Sequence, residues 1–355
     1  MTVSDVGNLG GVGARRAEPS PSRPPAAGVP TGADEVLDAS LDSVLSVAAG
    51  ENFPVSPGIL PADIQADLKA VYGFARLVDQ VGDAAEGDRL ALLDAMEADL
   101  GEIWGGAPRL PVHQALVETV ARRGLTREPF RRLIEANRQD QRVTRYETFD
   151  DLVQYCTLSA DPVGHLVLGV FGYATPERIA LSDRICTALQ LAEHLQDVAE
   201  DHRAGRIYLP RTDLVAFGVA EPDLVTSPAS PALRALMAFE VARAREVLDE
   251  GTPLVGMVPG RLRVALAGFV GGGRAALGSI EAAGYDVTNH SPSAPKWQVA
   301  REAAVVAAAA SVPAGAARRG ALLAGPVLAG GVLARAVPAA RRRRARRLAG
   351  GGAAR

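Results

Sequence analysis

A helical pattern near the middle of the chain carries two acidic residues in an apolar background. Apolar residues recur there at steps of three and four, at Ile185, Leu189, Ala192, Leu195 and Ala199. No Gly or Pro interrupts the pattern before Gly205, which predicts one continuous α-helix. Asp197 and Asp201 are four residues apart on it, so their carboxylates share a face, roughly 6 Å apart along the axis. Such like charges repel, and basic neighbours or a hard cation such as Mg²⁺ usually compensate them.

The same spacing occurs earlier, at Asp79 and Asp83. A helix is predicted over residues 61–84, because Pro at its start and Asp in its first turn are typical of helix N-termini. Tyr72, Arg76 and the two aspartates follow at steps of four, three and four, and therefore line one face of this otherwise apolar helix. A buried polar column is costly unless its members satisfy each other or a ligand. Across a helical bundle, the two aspartate pairs could hold metal ions that in turn hold a diphosphate.

The composition is that of a helix-rich protein with a large core. The chain has 355 residues, of which 48% are hydrophobic and 5% aromatic, and about 200 to 300 residues of all-helical bundle can form one domain. Cys156 and Cys186 are its two cysteines, and no secretory signal pattern is visible, so we expect a cytoplasmic protein with both thiols buried. Three consecutive glycines, at 271–273, lie within a predicted helix and favour close packing or a bend there.

Both ends of the chain differ from its middle. Residues 1–34 are rich in Gly, Pro, Ala and Ser and are predicted to be disordered. Residues 35–298 form the predicted domain, and residues 299–355 form an Ala/Arg-rich basic tail without a run of about 20 apolar residues. We expect this tail to be disordered or to lie on an anionic membrane surface. No aromatic or fold signal accompanies its arginines, so nucleic acid is not an expected partner.

Several further segments occur together with the aspartate pairs. They are YGFAR (72–76), RYETFDDL (145–152), YCTLSADPVGHLVL (155–168) and GRIYLP (205–210). With these segments, residues 51–297 resemble the squalene and phytoene synthase family of isoprenoid synthases. ENFPV (51–55) and SADPVG (159–164) are most similar to the hopanoid-pathway branch, which makes hydroxysqualene from presqualene diphosphate.

The resemblance implies an all-α fold, a single large helical bundle of the isoprenoid synthase type with a central apolar cavity. It implies Mg²⁺ as the cofactor, held by four metal ligands: Asp79, Asp83, Asp197 and Asp201. It also implies three catalytic residues, Tyr155, Tyr72 and Arg76, although a Tyr at position 155 is equally compatible with core packing.

For substrate binding, the resemblance points to Asn52, Gln190, Glu193, Arg206 and Tyr208. Asn52 either donates a hydrogen bond to phosphate or caps the next helix. Many relatives carry Asn where this chain has Glu193, so an additional negative charge is expected beside the metal ligands.

The implied reaction is Mg²⁺-dependent loss of diphosphate from a prenyl diphosphate substrate, followed by capture of the cation by water without NADPH. Head-to-head condensation of two prenyl diphosphates, giving presqualene diphosphate or phytoene, is the alternative within the family. A non-catalytic prenyl-lipid-binding helical protein is the alternative outside it. Peripheral contact with the inner face of the membrane and other enzymes of the same pathway are the further partners considered.

Overall fold

The computed structural model describes residues 36–47, 60–83 and 85–311. Throughout these ranges the regular structure is helical, apart from an isolated parallel β-bridge between Arg145 and Ile207. The all-α prediction is therefore confirmed. The predictions for residues 1–34, for Asn52 and for the tail from residue 312 lie outside the described residues. None of the described helices combines the length and the apolar character that crossing a bilayer requires.

The α-helices are α1 (Leu41–Val47), α2 (Ala62–Asp83), α3 (Arg89–Gly101), α4 (Pro111–Arg123), α5 (Arg127–Asp140), α6 (Phe149–Ser159), α7 (Asp161–Val170), α8 (Pro176–Gln196), α9 (Val198–Arg203), α10 (Arg211–Phe217), α11 (Pro231–Gly251), α12 (Gly260–Ala282) and α13 (Lys296–Ala310). Short 3₁₀ helices span Glu102–Trp104, Glu221–Val225 and Thr252–Met257. Helix α8 packs against α7, α11 and α12. The central segment with the apolar pattern from Ile185 to Leu195 therefore lies inside the bundle.

One prediction about this segment was wrong. The helix expected to run continuously through Asp197 and Asp201 ends at Gln196, and α9 begins at Val198. Asp197 lies between the two helices with φ −103° and ψ 15°. The Asp201 N–H still donates to the Asp197 carbonyl oxygen at 2.8 Å, which keeps the helical spacing of the two acids across the interruption.

A buried ion-pair network fixes α2 against α4. The Asp67 side chain on α2 is 0% exposed, and it accepts hydrogen bonds from Arg122 Nη2 at 2.5 Å, Arg123 Nε at 2.6 Å and Thr119 Oγ1 at 2.9 Å. Although burial works in the opposite direction, these three donors hold the pKa of Asp67 below its ordinary value. The helix that carries Asp79 and Asp83 is thereby anchored near its N-terminal end.

Helix α13 packs against α12 and extends to Ala310, which is 12 residues past the predicted domain boundary at 298. Gly271 permits this contact, and Gly273 permits another with α8. A Cβ at position 271 would lie 2.4 Å from the backbone N of Ala303, and one at position 273 would lie 2.8 Å from Leu189 Cδ2. A Cβ at Gly272 would meet nothing within 4 Å. Close packing, one of the two roles expected for these glycines, is therefore present at 271 and 273.

We expect Gly271→Ala to destabilise the protein by about 1–3 kcal/mol, because the new methyl would push α13 away from α12. Gly272→Ala is the matched control. It adds the same methyl to the same helix in open space and should stabilise the protein by roughly 0.5–1 kcal/mol through helix propensity. Thermal and urea unfolding of both variants measures the difference, and equal effects of the two substitutions would contradict the packing explanation.

Candidate active site

Helices α2, α5, α6, α8 and α9 surround a cavity of about 260 Å³. It is called here the acidic cavity, and its lining residues are Asp79, Asp83, Leu133, Ala136, Asn137, Asp140, Tyr155, Ser159, Gln190, Glu193, His194, Asp197, Asp201, Arg206 and Tyr208. Most of these side chains are polar, whereas the resemblance implies a central apolar cavity. A much smaller pocket with a mainly apolar lining shares His194 and Tyr208 with it.

The acidic cavity brings together most of the residues that the sequence singled out. All four predicted metal ligands line it, as do four predicted substrate-binding residues and the predicted catalytic Tyr155. The other two predicted catalytic residues, Tyr72 and Arg76, lie on α2 outside its lining, although the positive charge of Arg76 acts on Asp79. Tyr72 and Arg76 thus lie on the same helix as Asp79 and Asp83 but do not line the cavity.

Asp79 is exposed towards the cavity and otherwise enclosed by protein atoms. Burial raises its pKa to about 7, and the negative charges of Asp83 and Glu193 act in the same direction. A hydrogen bond from Asn137 Nδ2 at 3.2 Å and the charge of Arg76 oppose this rise. The surroundings of Asp79 therefore disfavour its ionised form relative to an aspartate in water.

Asp201 also lines the cavity, and its pKa is raised like that of Asp79. Burial raises its pKa to about 7, the charges of Asp197 and Glu193 add to the rise, and Arg206 opposes it. The Asp197 N–H donates to the Glu193 carbonyl oxygen at 3.0 Å, so Glu193, Asp197 and Asp201 follow one another at helical spacing. Glu193 thus adds a negative charge to both aspartate pairs, as expected from its position in the sequence.

Arg206 provides the positive charge of this site. Its Nη2 donates to Asp83 Oδ1 at 3.0 Å, which joins the loop after α9 to the C-terminal end of α2. Two backbone hydrogen bonds fix the loop itself. The Arg206 N–H donates to the Asp201 carbonyl oxygen at 2.8 Å, and the Ile207 N–H donates to the Thr144 carbonyl oxygen at 2.9 Å. Among the described residues that line the cavity, six are carboxylates and Arg206 is the cationic one.

Aromatic and amide side chains complete the lining. The Tyr155 hydroxyl donates to Asp140 Oδ2 at 2.8 Å, and burial raises the pKa of Tyr155 well above its ordinary value, so the phenol stays protonated. The rings of His194 and Tyr208 stack with centroids 3.6 Å apart. Burial, with the charge of Arg206, lowers the pKa of His194 to about 3, so its imidazole is neutral.

Sequence reasoning missed Asn137, Asp140, Ser159 and His194. Asn137 and Asp140 are three residues apart on α5, a spacing that places them on one helix face. The many charges of this helix conceal the pair, because the sequence pattern does not separate its buried acids from its exposed ones. Burial raises the pKa of Asp140 to about 6, and the hydrogen bond from Tyr155 opposes the rise.

The donor set of the acidic cavity fits hard divalent cations. No three His, Cys, Asp or Glu side chains in the described part of the chain are grouped closely enough to hold a metal ion by themselves. Mg²⁺ does not require such a cage, because it is usually bound through one or two carboxylates, waters and substrate phosphates. Asp79 and Asp83 on one side, and Asp197 and Asp201 on the other, are the carboxylates that could hold it.

Comparison with known proteins identifies the family. Residues 47–301 match the family model described as squalene/phytoene synthase. The chain belongs to the squalene/phytoene synthase family. The members of this family act on prenyl diphosphates, so the acidic cavity is the candidate active site of a prenyl-diphosphate-processing enzyme.

The relatives include more than one activity. A phytoene synthase from Arthrospira platensis is 33% identical over 267 residues, which cover 70% of this chain and 85% of the relative. A hydroxysqualene synthase from Rhodopseudomonas palustris is 36% identical over 208 residues, with coverages of 58% and 70%. The crystal structure of a squalene synthase from Alicyclobacillus acidocaldarius has a TM-score of 0.66 and 44% sequence identity, covering 69% of this chain and 94% of that one.

We expect Asp201→Asn to stabilise the metal-free enzyme at pH 8. A raised pKa in the folded state means that Asp201 contributes stability below its ordinary pKa of 3.8, and that this contribution is lost as the pH rises through about 7. The neutral amide avoids that loss, so its melting temperature should exceed that of the parent by a few degrees at pH 8, and by less at pH 5. Glu246→Gln, at an exposed carboxylate on α11, is the control and should leave the melting temperature close to that of the parent.

Proposed function

We propose that this enzyme converts presqualene diphosphate to hydroxysqualene with loss of diphosphate, as a Mg²⁺-dependent step of hopanoid biosynthesis. The observation that carries the proposal is the convergence of two aspartate pairs and Arg206 on one cavity. A diphosphate and the cations that accompany it match this charge pattern. We further propose a cytoplasmic enzyme whose basic tail touches the inner face of the membrane.

The aspartate pairs would hold Mg²⁺ through Asp79 and Asp83 on α2 and through Asp197 and Asp201 around the start of α9. When bound, Mg²⁺ neutralises the charge of the diphosphate and stabilises it as a leaving group. The raised pKa values of Asp79 and Asp201 support this assignment, since they reflect an electrostatic cost that a cation removes.

Other side chains act on the substrate directly. Arg206 carries a permanent charge that can pair with phosphate oxygens, and the neighbouring Tyr208 lies beside it in the cavity lining. The protonated hydroxyl of Tyr155 provides a neutral hydrogen-bond donor for the departing diphosphate. Gln190 and Glu193 border the same space and contribute to substrate orientation. Exclusion of bulk water by the surrounding helices protects the cation that is formed.

The hydroxysqualene assignment is supported by relatives of that activity. Hydroxysqualene synthases from Rhodopseudomonas palustris and Zymomonas mobilis are each 36% identical to this chain. The solved protein at 44% identity is a squalene synthase, which supports the family and does not separate the two candidates. The second candidate is head-to-head condensation of two prenyl diphosphates, and it is favoured by the longer match with the Arthrospira platensis phytoene synthase. The family relationship supports both enzymes over a non-catalytic lipid-binding protein.

The two candidates are distinguished by supplying each substrate separately. Purified enzyme with Mg²⁺ and without NADPH is incubated with farnesyl diphosphate or with presqualene diphosphate, and the products are identified by mass spectrometry. Hydroxysqualene from presqualene diphosphate is the expected result. A condensation product from farnesyl diphosphate, with presqualene diphosphate left unchanged, would instead establish the second candidate.

We expect Asp79→Asn and Asp197→Asn each to lower the rate of diphosphate release by about a hundredfold or more, because even the partners of metal ligands cost roughly 10–100-fold when removed. Steady-state kinetics across a Mg²⁺ titration measures the loss. Asp150→Asn, at an exposed carboxylate in the first turn of α6, is the control and should retain the parent rate. Parent-like turnover in either active-site variant would refute the metal-ligand assignment.

A further inference from the structure

Glu240, on α11, is a buried carboxylate outside the acidic cavity. Its side chain is 5% exposed, and its Oε2 accepts a hydrogen bond from Arg243 Nη2 at 2.5 Å. Its other oxygen, Oε1, is buried and receives no hydrogen bond from any described residue. A buried acceptor without a donor costs about 1–3 kcal/mol, and more when it is charged. Buried polar groups without a hydrogen-bond partner are uncommon in native proteins, so this one requires an explanation.

Arg243 does not compensate Glu240 fully. The same Nη2 also donates to Asp213 Oδ2 at 2.7 Å, and the guanidinium lies over the Phe149 ring at 3.7 Å from its centroid. One cation is therefore shared between two carboxylates. Burial raises the pKa of Glu240 to about 7, with Arg243 opposing the rise and Asp213 adding to it. A proton can thus move on or off Glu240 near neutral pH.

Glu240 lines a second cavity, called here the apolar pocket. Its volume is about 10 Å³, close to the minimum of roughly 10–15 Å³ that one buried water requires. Three of its lining side chains are polar, namely Glu240, His194 and Tyr208. The others are apolar: Phe149, Leu152, Leu191, Leu195, Leu209, Pro210 and Ala244. A single water placed here has few polar partners, and the oxygen without a donor belongs to Glu240.

The apolar pocket adjoins the site of the proposed reaction. His194 and Tyr208, whose rings stack on each other, line both the apolar pocket and the acidic cavity. The hydrocarbon part of a prenyl diphosphate requires an apolar surface next to the place where its diphosphate is bound. A cation left behind on that hydrocarbon would therefore form beside the pocket that contains Glu240.

We propose that Glu240 holds the single water molecule that captures the carbocation, and so determines that the product is an alcohol. This inference rests on the proposed function. The C–O bond to diphosphate breaks and its electron pair leaves with the diphosphate. The water oxygen supplies the electron pair of the new C–O bond, and one of its protons passes to the Glu240 carboxylate. No oxidant or reductant is required. Without a positioned water, the cation passes a neighbouring proton to the released diphosphate, the C–H electron pair forms a double bond, and the product is a hydrocarbon.

The test compares three variants with the parent enzyme, using presqualene diphosphate and Mg²⁺ in ¹⁸O-labelled water. Glu240→Gln keeps the shape of the side chain but cannot accept the proton. Glu240→Asp keeps the carboxylate. Glu246→Gln is the matched control, because it makes the same change of an acid to its amide at an exposed position of the same helix, outside the lining of the apolar pocket. Labelled alcohol and hydrocarbon are quantified per diphosphate released, a ratio that counts active molecules only and is insensitive to partial unfolding.

In Glu240→Gln we expect diphosphate release to continue, while the ratio of alcohol to hydrocarbon falls about tenfold or more, a modest share of what a positioned base contributes. Glu240→Asp and Glu246→Gln should retain alcohol as the main product. A parent-like product ratio in Glu240→Gln would overturn this inference alone. The same holds if Glu246→Gln shifts the ratio equally, or if folded Glu240→Gln no longer releases diphosphate. A parent enzyme that makes no alcohol would overturn the proposed function together with the inference.

Discussion

Mutual repulsion of carboxylates is the constraint on which the rest of this structure depends. Six of them line the acidic cavity, and Arg206 is the cationic side chain among the described residues of that lining. Such an arrangement works against folding, and rigid anchoring elsewhere must hold it in place. The Asp67 network ties α2 to α4, while α8 is enclosed by α7, α11 and α12. The stability of the scaffold thereby offsets the electrostatic cost of bringing these carboxylates together.

Much of the fold follows from local patterns in the sequence. Apolar residues at three- and four-residue steps indicate helices, and the predicted helix over residues 61–84 is observed as Ala62–Asp83. The Asp161-Pro162 step separates α6 from α7, as proline predicts. The interruption at Asp197 has no comparable signal, because no Gly or Pro lies there. A backbone change of this kind depends on tertiary packing, which periodicity does not report.

The site is predictable where its residues repeat a pattern and not where they are isolated. Two Asp pairs with identical spacing on apolar helices stand out from the sequence, and both line the same cavity. Asn137 and Asp140 are concealed in a charged helix whose inner and outer faces look alike in the sequence. Glu240 belongs to no motif, and a single acid in an amphipathic helix usually faces solvent. The sequence therefore does not indicate that Glu240 is buried. Only the packed structure shows that this one is buried beside His194 and Tyr208.

The ion pair between Arg206 and Asp83 has a consequence for how substrate enters and leaves. These two side chains pair with each other at 3.0 Å. Under the proposed chemistry, Arg206 would pair with phosphate oxygens and Asp83 would hold a cation, so admission of the substrate would be an exchange of partners. On release of the diphosphate the two residues would pair again. Reformation of that pair would compete with rebinding of the product and so favour turnover over product inhibition.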